Sequence, residues 1–557
     1  MIFRDVLLDL PEKGTFRGPE RGGVPVLIQR VKNPGAPPRY RQVVIGKVVR
    51  DADGREKLQP NENYYSLNGL TPPAESSVSR RGRPKSGAPE RGGKHDRSGV
   101  AYPLCVFGIA VSTGLWDVMK RVMGRRLAHE VLALASYYLL RPYRGSLSEL
   151  DMFMEDNMDF FLEKPLNDSR RVSELFASLD EALSDRLTEE WLKHCVKDDD
   201  LLFYDVTSIS SWSENEDPDD LAYGHSKDND GLPQINVGIL MSRRLNLPLM
   251  HVSYNGSIND GANFPGVMAR LRSFEIKARP AIVIDAGFTR DNVSLAAFEG
   301  YKVLIRAPHR RYKAVGEAVR GWRSDFRPHP DNSFTLSGRV HSSGRVENFK
   351  FGDTEGSLIM VYDPALYSRQ LAHFKTVLEE AERAFAENRP GISYDMYREW
   401  FDIRRKGRGL IWKRRDDEIS RENDFLGMTV LFTNIKDKSD AALLADYRAK
   451  DSVEKVFRCL KGDLTDGGKM NTGSPATWKG KMTVLFIALI LRKRFETLMK
   501  GTKMFRQHGV TVSLKRLSRI RMVNTGRGWS LLNPPSADQK ELFKAVWTIS
   551  PDDFFAD

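Results

Sequence analysis

Five short apolar runs set the centre of this chain: "LLFYDVTSIS" at 201–210, "PQINVGILMS" at 233–242, "LPLMHVSYNG" at 247–256, "RPAIVIDAGF" at 279–288 and "YKVLIRA" at 301–307. Each has the length and the Val, Ile and Leu content of a strand. The breaks between the first three are rich in Asn and Gly, as hairpins require. "PGVMARLRSFEIK" separates the third run from the fourth and "RDNVSLAAFE" the fourth from the fifth, both with helical spacing. Three antiparallel strands followed by alternating helix and strand predict a mixed sheet flanked by helices.

That order is the one used by RNase H-like domains. The expected fold is therefore mixed α/β, an RNase H-like catalytic core interrupted by a β-rich insertion. An N-terminal β region and a helical module precede the core. The boundaries read from composition and period are a small β-rich region at 1–71, a basic Pro/Gly/Ser linker at 72–99, and a helical DNA-binding module at 100–195. The core follows in two parts, 196–310 and 441–500, around an insertion at 311–440. A basic C-terminal region, 501–557, closes the chain.

Asp205 closes the apolar run Leu201–Tyr204, and Asp285 closes Ala281–Ile284. In an open sheet, carboxylates at such strand ends project into the crevice where ligands bind. Either aspartate alone is equally well explained as a turn cap. On neighbouring central strands the two together are harder to dismiss, because uncompensated carboxylates at close range repel unless a cation neutralises them. Oxygen donors of this kind suit Mg2+, with Mn2+ as a substitute. A third carboxylate would complete a two-metal site for phosphoryl transfer.

The stretch "DYRAKDSVEKVFRCLKGDL", 446–464, predicts an amphipathic helix whose packed face carries Val453, Val456, Phe457 and Leu460. Tyr447, Lys450, Glu454 and Lys461, at relative positions 0, 3, 7 and 14, line the stripe beside it. Glu454 is the candidate third carboxylate; taken alone, it could also be a rung of an exposed ladder with Lys450 and Arg458. Other acids are weaker candidates. Asp198, Asp199, Asp200, Asp217, Asp219 and Asp220 lie in polar runs and read as solvated, and Asp228 and Asp230 read as turn residues. Asp260, in "NGSINDGAN", is the most credible stand-in, and His225 and His251 are isolated. The sequence has no zinc spacing, Walker-type loop, Rossmann fingerprint or nucleophile elbow, so ATP-driven and covalent hydrolytic mechanisms have no support.

These residues together resemble the DDE transposases of bacterial insertion sequences, in the branch carrying a Y-(2)-R-(3)-E-(6)-K signature. Here it is spelled by Tyr447, Lys450, Glu454 and Lys461, with Lys450 where the signature has Arg, a point charge in place of a bidentate fork. The resemblance extends to "YDVTSISSWSE", "AYGHSKDNDGLPQINVGIL", "PLMHVSYNGSINDGANF" and "VIDAGFTRDN", spanning roughly 100–495. It implies Asp205, Asp285 and Glu454 as the metal-binding triad, with Tyr447, Lys450 and Lys461 on the DNA end. It also implies double-stranded DNA partners, namely terminal inverted repeats and target DNA. A homodimeric synaptic complex and transfer of a 3′-hydroxyl into the target are part of the same expectation. A catalytically inactive DNA-binding derivative and a nuclease that cuts without joining remain alternatives.

Composition agrees with a polyanionic partner. Formal net charge is +12, and between Arg492 and Arg521 ten Lys or Arg face a single acid. A solvated basic face is the alternative, but aromatics and small polar residues interleave with the charges and no compensating acids follow, which favours a phosphate-contacting surface. "RRGRPK" at 80–85 resembles an AT-hook, in which Arg81 and Arg83 would enter a narrow minor groove, although a plain basic linker reads the same. The longest apolar run, "MTVLFIALIL" at 482–491, falls short of the roughly 20 residues of a membrane span and is expected as a buried helix. The N-terminus shows no secretory cleavage pattern. Cys105, Cys195 and Cys459 read as buried free thiols of a reducing, cytoplasmic setting beside the nucleoid.

Overall fold

A computed structural model describes residues 6–11, 15–21, 24–32, 40–51, 53–71, 97–140, 147, 149–157, 166, 168–211, 233–387, 394–406, 409–465, 469–470, 475–524, 529–548 and 551–554. They fall into two compact units, Met1–Lys94 and His95–Asp557. Arg81, Arg83, Asp217, Asp219, Asp220, His225, Asp228 and Asp230 lie outside the described residues.

In the first unit β1 (Thr15–Arg21), β2 (Val24–Lys32), β3 (Tyr40–Arg50) and β4 (Glu56–Pro60) form an antiparallel meander. Its small core holds Leu27, Ile45, Val48 and Leu58. Asn61 accepts the Tyr64 N–H and so starts α1 (Glu62–Leu67).

The second unit opens with β5 (Arg97–Gly99), then α2 (Ala101–Ser112), α3 (Leu115–Leu140), α4 (Leu150–Asn157), α5 (Ser169–Ser178) and α6 (Glu181–Cys195). Asp168 and Asp180 cap α5 and α6 by accepting N–H groups three residues on. No single described helix is both long and apolar enough to cross a membrane; α2 and α3 meet both conditions only as a pair, bent by 99°.

Next come β6 (Leu201–Ser211), β7 (Gln234–Ser242), β8 (Leu247–Asn255), α7 (Asp260–Ser273), β9 (Ala281–Ile284), α8 (Arg290–Phe298) and β10 (Lys302–Arg306). Their order across the sheet is β8-β7-β6-β9-β10, with β6 to β8 antiparallel and β9 and β10 parallel to β6. This is the strand order expected of an RNase H-like core. Every residue of β7 is buried, as for a strand covered on both faces.

The following segment contains α9 (Lys313–Asp325), β11 (Ser333–Leu336), β12 (Arg339–Phe351), β13 (Thr354–Tyr362), α10 (Pro364–Ala386), β14 (Phe401–Lys406), β15 (Gly409–Arg414), α11 (Asp416–Asn423) and β16 (Met428–Thr433). Part of it does more than interrupt the core. β16 pairs antiparallel with β10 on one side and β13 on the other, so β11, β12, β13 and β16 prolong the core sheet and cover the edge β10 would otherwise expose. By contrast, β14 and β15 form a separate two-stranded ribbon.

The chain finishes with α12 (Asp440–Arg448), α13 (Asp451–Cys459), β17 (Lys469–Met470), α14 (Pro475–Met499), α15 (Lys503–Leu517), β18 (Arg521–Asn524), β19 (Trp529–Leu531), α16 (Ala537–Trp547) and α17 (Pro551–Phe554). The single helix expected over 446–464 is thus two helices, broken at Ala449–Lys450 and followed by a π turn over Leu460–Leu464. The Thr465 N–H closes that turn on the Leu460 carbonyl. Residues 482–491 are buried within α14, as expected, and share one hydrophobic core with the sheet and with α2 to α6.

Candidate active site

The register between β6 and β9 sets the geometry. Leu201 lies opposite Ala281, Leu202 opposite Ile282 and Phe203 opposite Val283, a constant parallel offset. Carried two residues further, it brings Asp285 level with Asp205. There the two strands part company. β9 stops at Ile284, whereas β6 continues to Ser211 and pairs with β17 at Ser210 and Ser211. A gap therefore opens along that edge of β6 after Phe203. Asp285 does follow a strand end, but Asp205 lies inside β6, contrary to its expected place at a terminus, because the strand outruns its apolar stretch.

Lys450 fills the space between the two carboxylates. Its Nζ lies 3.4 Å from Asp205 Oδ2 and 3.3 Å from Asp285 Oδ2. The two oxygens can be separated by no more than the sum of those distances, about 6.7 Å. The Lys450 side chain is only 6% exposed, so the ammonium faces inward. Burial alone would lower its pKa, but Asp205 and Asp285 outweigh burial and raise it. Asp285 moves the other way. Burial pushes its carboxyl up, while the Lys450 charge, the Ala286 N–H and the Tyr447 hydroxyl together pull it below the ordinary carboxylate value.

Tyr447 donates its hydroxyl to Asp285 Oδ1 at 2.8 Å. Burial and the adjacent carboxylate push the phenol well above its usual pKa, so it remains a donor. Its helix is pinned at three points. Buried Asp446 pairs with Arg243, just past β7, and with Lys438. Arg448 meets the fully buried His341 at 2.8 Å, and Asp363 is 3.5 Å from the same imidazole. At the start of α12, Asp440 accepts from Ser343 and Arg345 of β12. The strands of the inserted segment thus fix the angle at which Tyr447 and Lys450 reach the aspartates.

Glu454 lies in the first turn of α13, one turn beyond Lys450, with its side chain exposed. Among the described residues no three His, Cys, Asp or Glu gather closely enough to hold a metal ion. The aspartates are brought together; Glu454 is not drawn in with them. Lys461 sits partly buried in the π turn, beyond the end of α13. Asp260 accepts from the Tyr254 hydroxyl at 2.8 Å. Asp200 is buried and fixes the β6–β7 corner, accepting from Ser242 and from the backbone of Leu201 and Arg244. His251, half-buried, packs its ring on Phe486, and desolvation lowers its pKa to about 3.

Two features of the neighbourhood carried no weight in the sequence. The β9–β10 register places Ile305 opposite Ile284, so Arg306 comes level with Asp285. Beside it a crevice of about 300 Å³ is lined by Ala286, Arg306, His309, Arg310, Glu422 and Phe425. His309 stacks on Phe425 at 4.3 Å, and burial with Arg310 and Arg306 lowers its pKa to about 4. The signal was present: Arg306 ends "VLIR" as Asp285 ends "IVID".

A hard divalent cation suits the aspartate pair. Its donors are all oxygen, Asp285 is 43% exposed on its open side, and a cationic group already lodges between the carboxylates.

No family model matches the chain, and no curated protein matches it. Among solved structures, a similar chain is the piggyBac transposase in a cryo-EM structure of its synaptic complex with hairpin DNA. It is 10% identical with a TM-score of 0.32, over 82% of this chain and 72% of that one. So faint a likeness carries no weight for function.

Proposed function

We propose that this protein is a DNA transposase, cleaving DNA at the inverted-repeat ends of a mobile element and joining those ends to target DNA. The observation that carries the proposal is the pair Asp205 and Asp285, level on adjacent strands of an RNase H-like sheet with a cation between them. Asp205 and Asp285 would hold Mg2+, with Mn2+ able to substitute, and Glu454 would join them as the third ligand. When bound, the metal would supply Lewis-acid stabilisation of charge on the phosphoryl oxygens. The chain's own part is positional. Tyr447 holds Asp285 Oδ1 by its hydroxyl, so that Oδ2, now facing Lys450, is the oxygen that would take a metal. Lys450 sits between both aspartates as their counter-ion while no metal is bound. Released from them, it and Lys461 would be available to DNA phosphates as point charges. Terminal repeats, target DNA and a homodimeric synapse are the partners this activity requires.

Purified protein incubated with labelled duplex ends and Mg2+ tests the proposal. Joined products are expected from the wild type, and binding without chemistry from Asp285→Asn. Nicks without joining would reduce the activity to that of a nuclease. Binding without any cleavage by the wild type would remove the catalytic claim.

A further inference from the structure

The β14–β15 ribbon is not used by the site described above. One of its faces is apolar: Phe401, Ile403, Leu410 and Trp412 pack with Phe374, Leu378 and Phe385 of α10 in a small separate core. The register pairs Arg404 with Ile411 and Asp402 with Lys413 on the opposite face. Arg404 and Lys413 are exposed there; Arg405, opposite Leu410 near the turn, alternates onto the other face and is exposed where that face runs out. None of these three cations has a hydrogen bond or an ion pair among the described residues. Ile411, 50% exposed, lies among them. Across Phe401–Arg415 the sequence carries seven Lys or Arg against the single acid Asp402. Unlike the surface arginines that pair within the protein, such as Arg414 with Glu382, these three meet no anion among the described residues.

A two-stranded antiparallel ribbon has the width to enter the major groove of B-form DNA, and Arg404 and Lys413 on its outer face, with Arg405 by its turn, suit the flanking phosphates. The ribbon is also tied to the catalytic end of the sheet. β15 leads directly into α11, where Glu422 pairs with Arg310, four residues beyond Arg306. We infer that this ribbon is a docking element for duplex DNA, lying in the major groove with Arg404, Arg405 and Lys413 on the backbone. The inference rests on the proposed action on DNA.

The test uses the full chain carrying R404A, R405A and K413A together, three exposed positions whose loss should leave the thermal midpoint unchanged. Binding to a labelled B-form duplex is followed by anisotropy over a range of NaCl. About tenfold weaker binding is expected at moderate salt, with the slope of log K against log salt shallower by about 2 to 3. An RNA duplex of equal length, whose major groove is too deep and narrow for the ribbon, should compete poorly. An unchanged slope, or RNA competing as well as DNA, overturns the ribbon assignment while a wild type that binds and cuts DNA keeps the proposed function. A wild type that binds no duplex removes both.

Discussion

Replacing Lys450 by Met removes the charge between Asp205 and Asp285 while retaining much of the side chain's bulk. Two carboxylates then face each other at no more than about 6.7 Å. At an effective dielectric of about 20, unit charges at that separation repel by about 2.5 kcal/mol. Because Asp285 is 43% exposed, solvent screens roughly half of this, leaving about 1.3 kcal/mol. A divalent cation relieves that repulsion and no longer has an ammonium to displace, so Lys450→Met should bind Mg2+ about tenfold more tightly than the wild type. Isothermal titration of chelator-treated protein with MgCl2, without DNA, measures this directly. Equal or weaker Mg2+ binding by the variant would refute Lys450 as the resident counter-ion of the pair. The pH dependence gives a second handle. The lowered Asp285 pKa contributes stability that is present above the unfolded carboxylate value and is lost as pH falls through the folded one. In Lys450→Met that loss should begin at higher pH, because the main influence depressing the pKa is gone.

Tyr447→Phe deletes one hydrogen bond to Asp285 and should cost about 1 kcal/mol, read as a lower thermal midpoint, with strand joining falling more than DNA binding. Arg448→Leu leaves Asp363 and buried His341 without their cationic partner; a loss of about 1 to 3 kcal/mol and slower cleavage are expected, measured by thermal melts and end-cleavage rates. His309, held neutral with a pKa of about 4, contributes stability that is present above the unfolded value of about 6.5 and declines as pH falls toward 4, so His309→Gln should flatten melting temperature against pH in that window. Gly480→Ala should be severe, since a methyl there would overlap the Phe176 carbonyl where α14 crosses α5; urea unfolding should show a loss of several kcal/mol.

The strand order of the core was legible because alternation, turn residues and strand-helix-strand punctuation are local signals. So was the meeting of Asp205 and Asp285, once their strands were taken as parallel neighbours. The three cysteines are buried and free as anticipated. Long-range pairing was harder to see. Nothing in "GMTVLFTN" announces that it slots between β10 and β13, because a short apolar run does not encode its partner. The helix break at Ala449–Lys450 was hidden for a similar reason: both residues keep right-handed torsions, and neither is Gly or Pro. The inward turn of Lys450 depends on two carboxylates 165 and 245 residues upstream, and a periodic pattern places such a residue on the polar border of its helix without saying what it meets.

The distances along the chain that separate the site's parts also impose an order on its making. Tyr447 is 162 residues from Asp285, and Lys450 is 245 from Asp205. During synthesis from the N-terminus, the strands bearing both aspartates emerge long before the helix that joins them. Until that helix arrives, two like charges share a sheet end with nothing between them, and a chain stopped before Asp440 carries the aspartates without the residues that orient them. Completion of the site is therefore a late event, fixed by the connectivity of the chain itself.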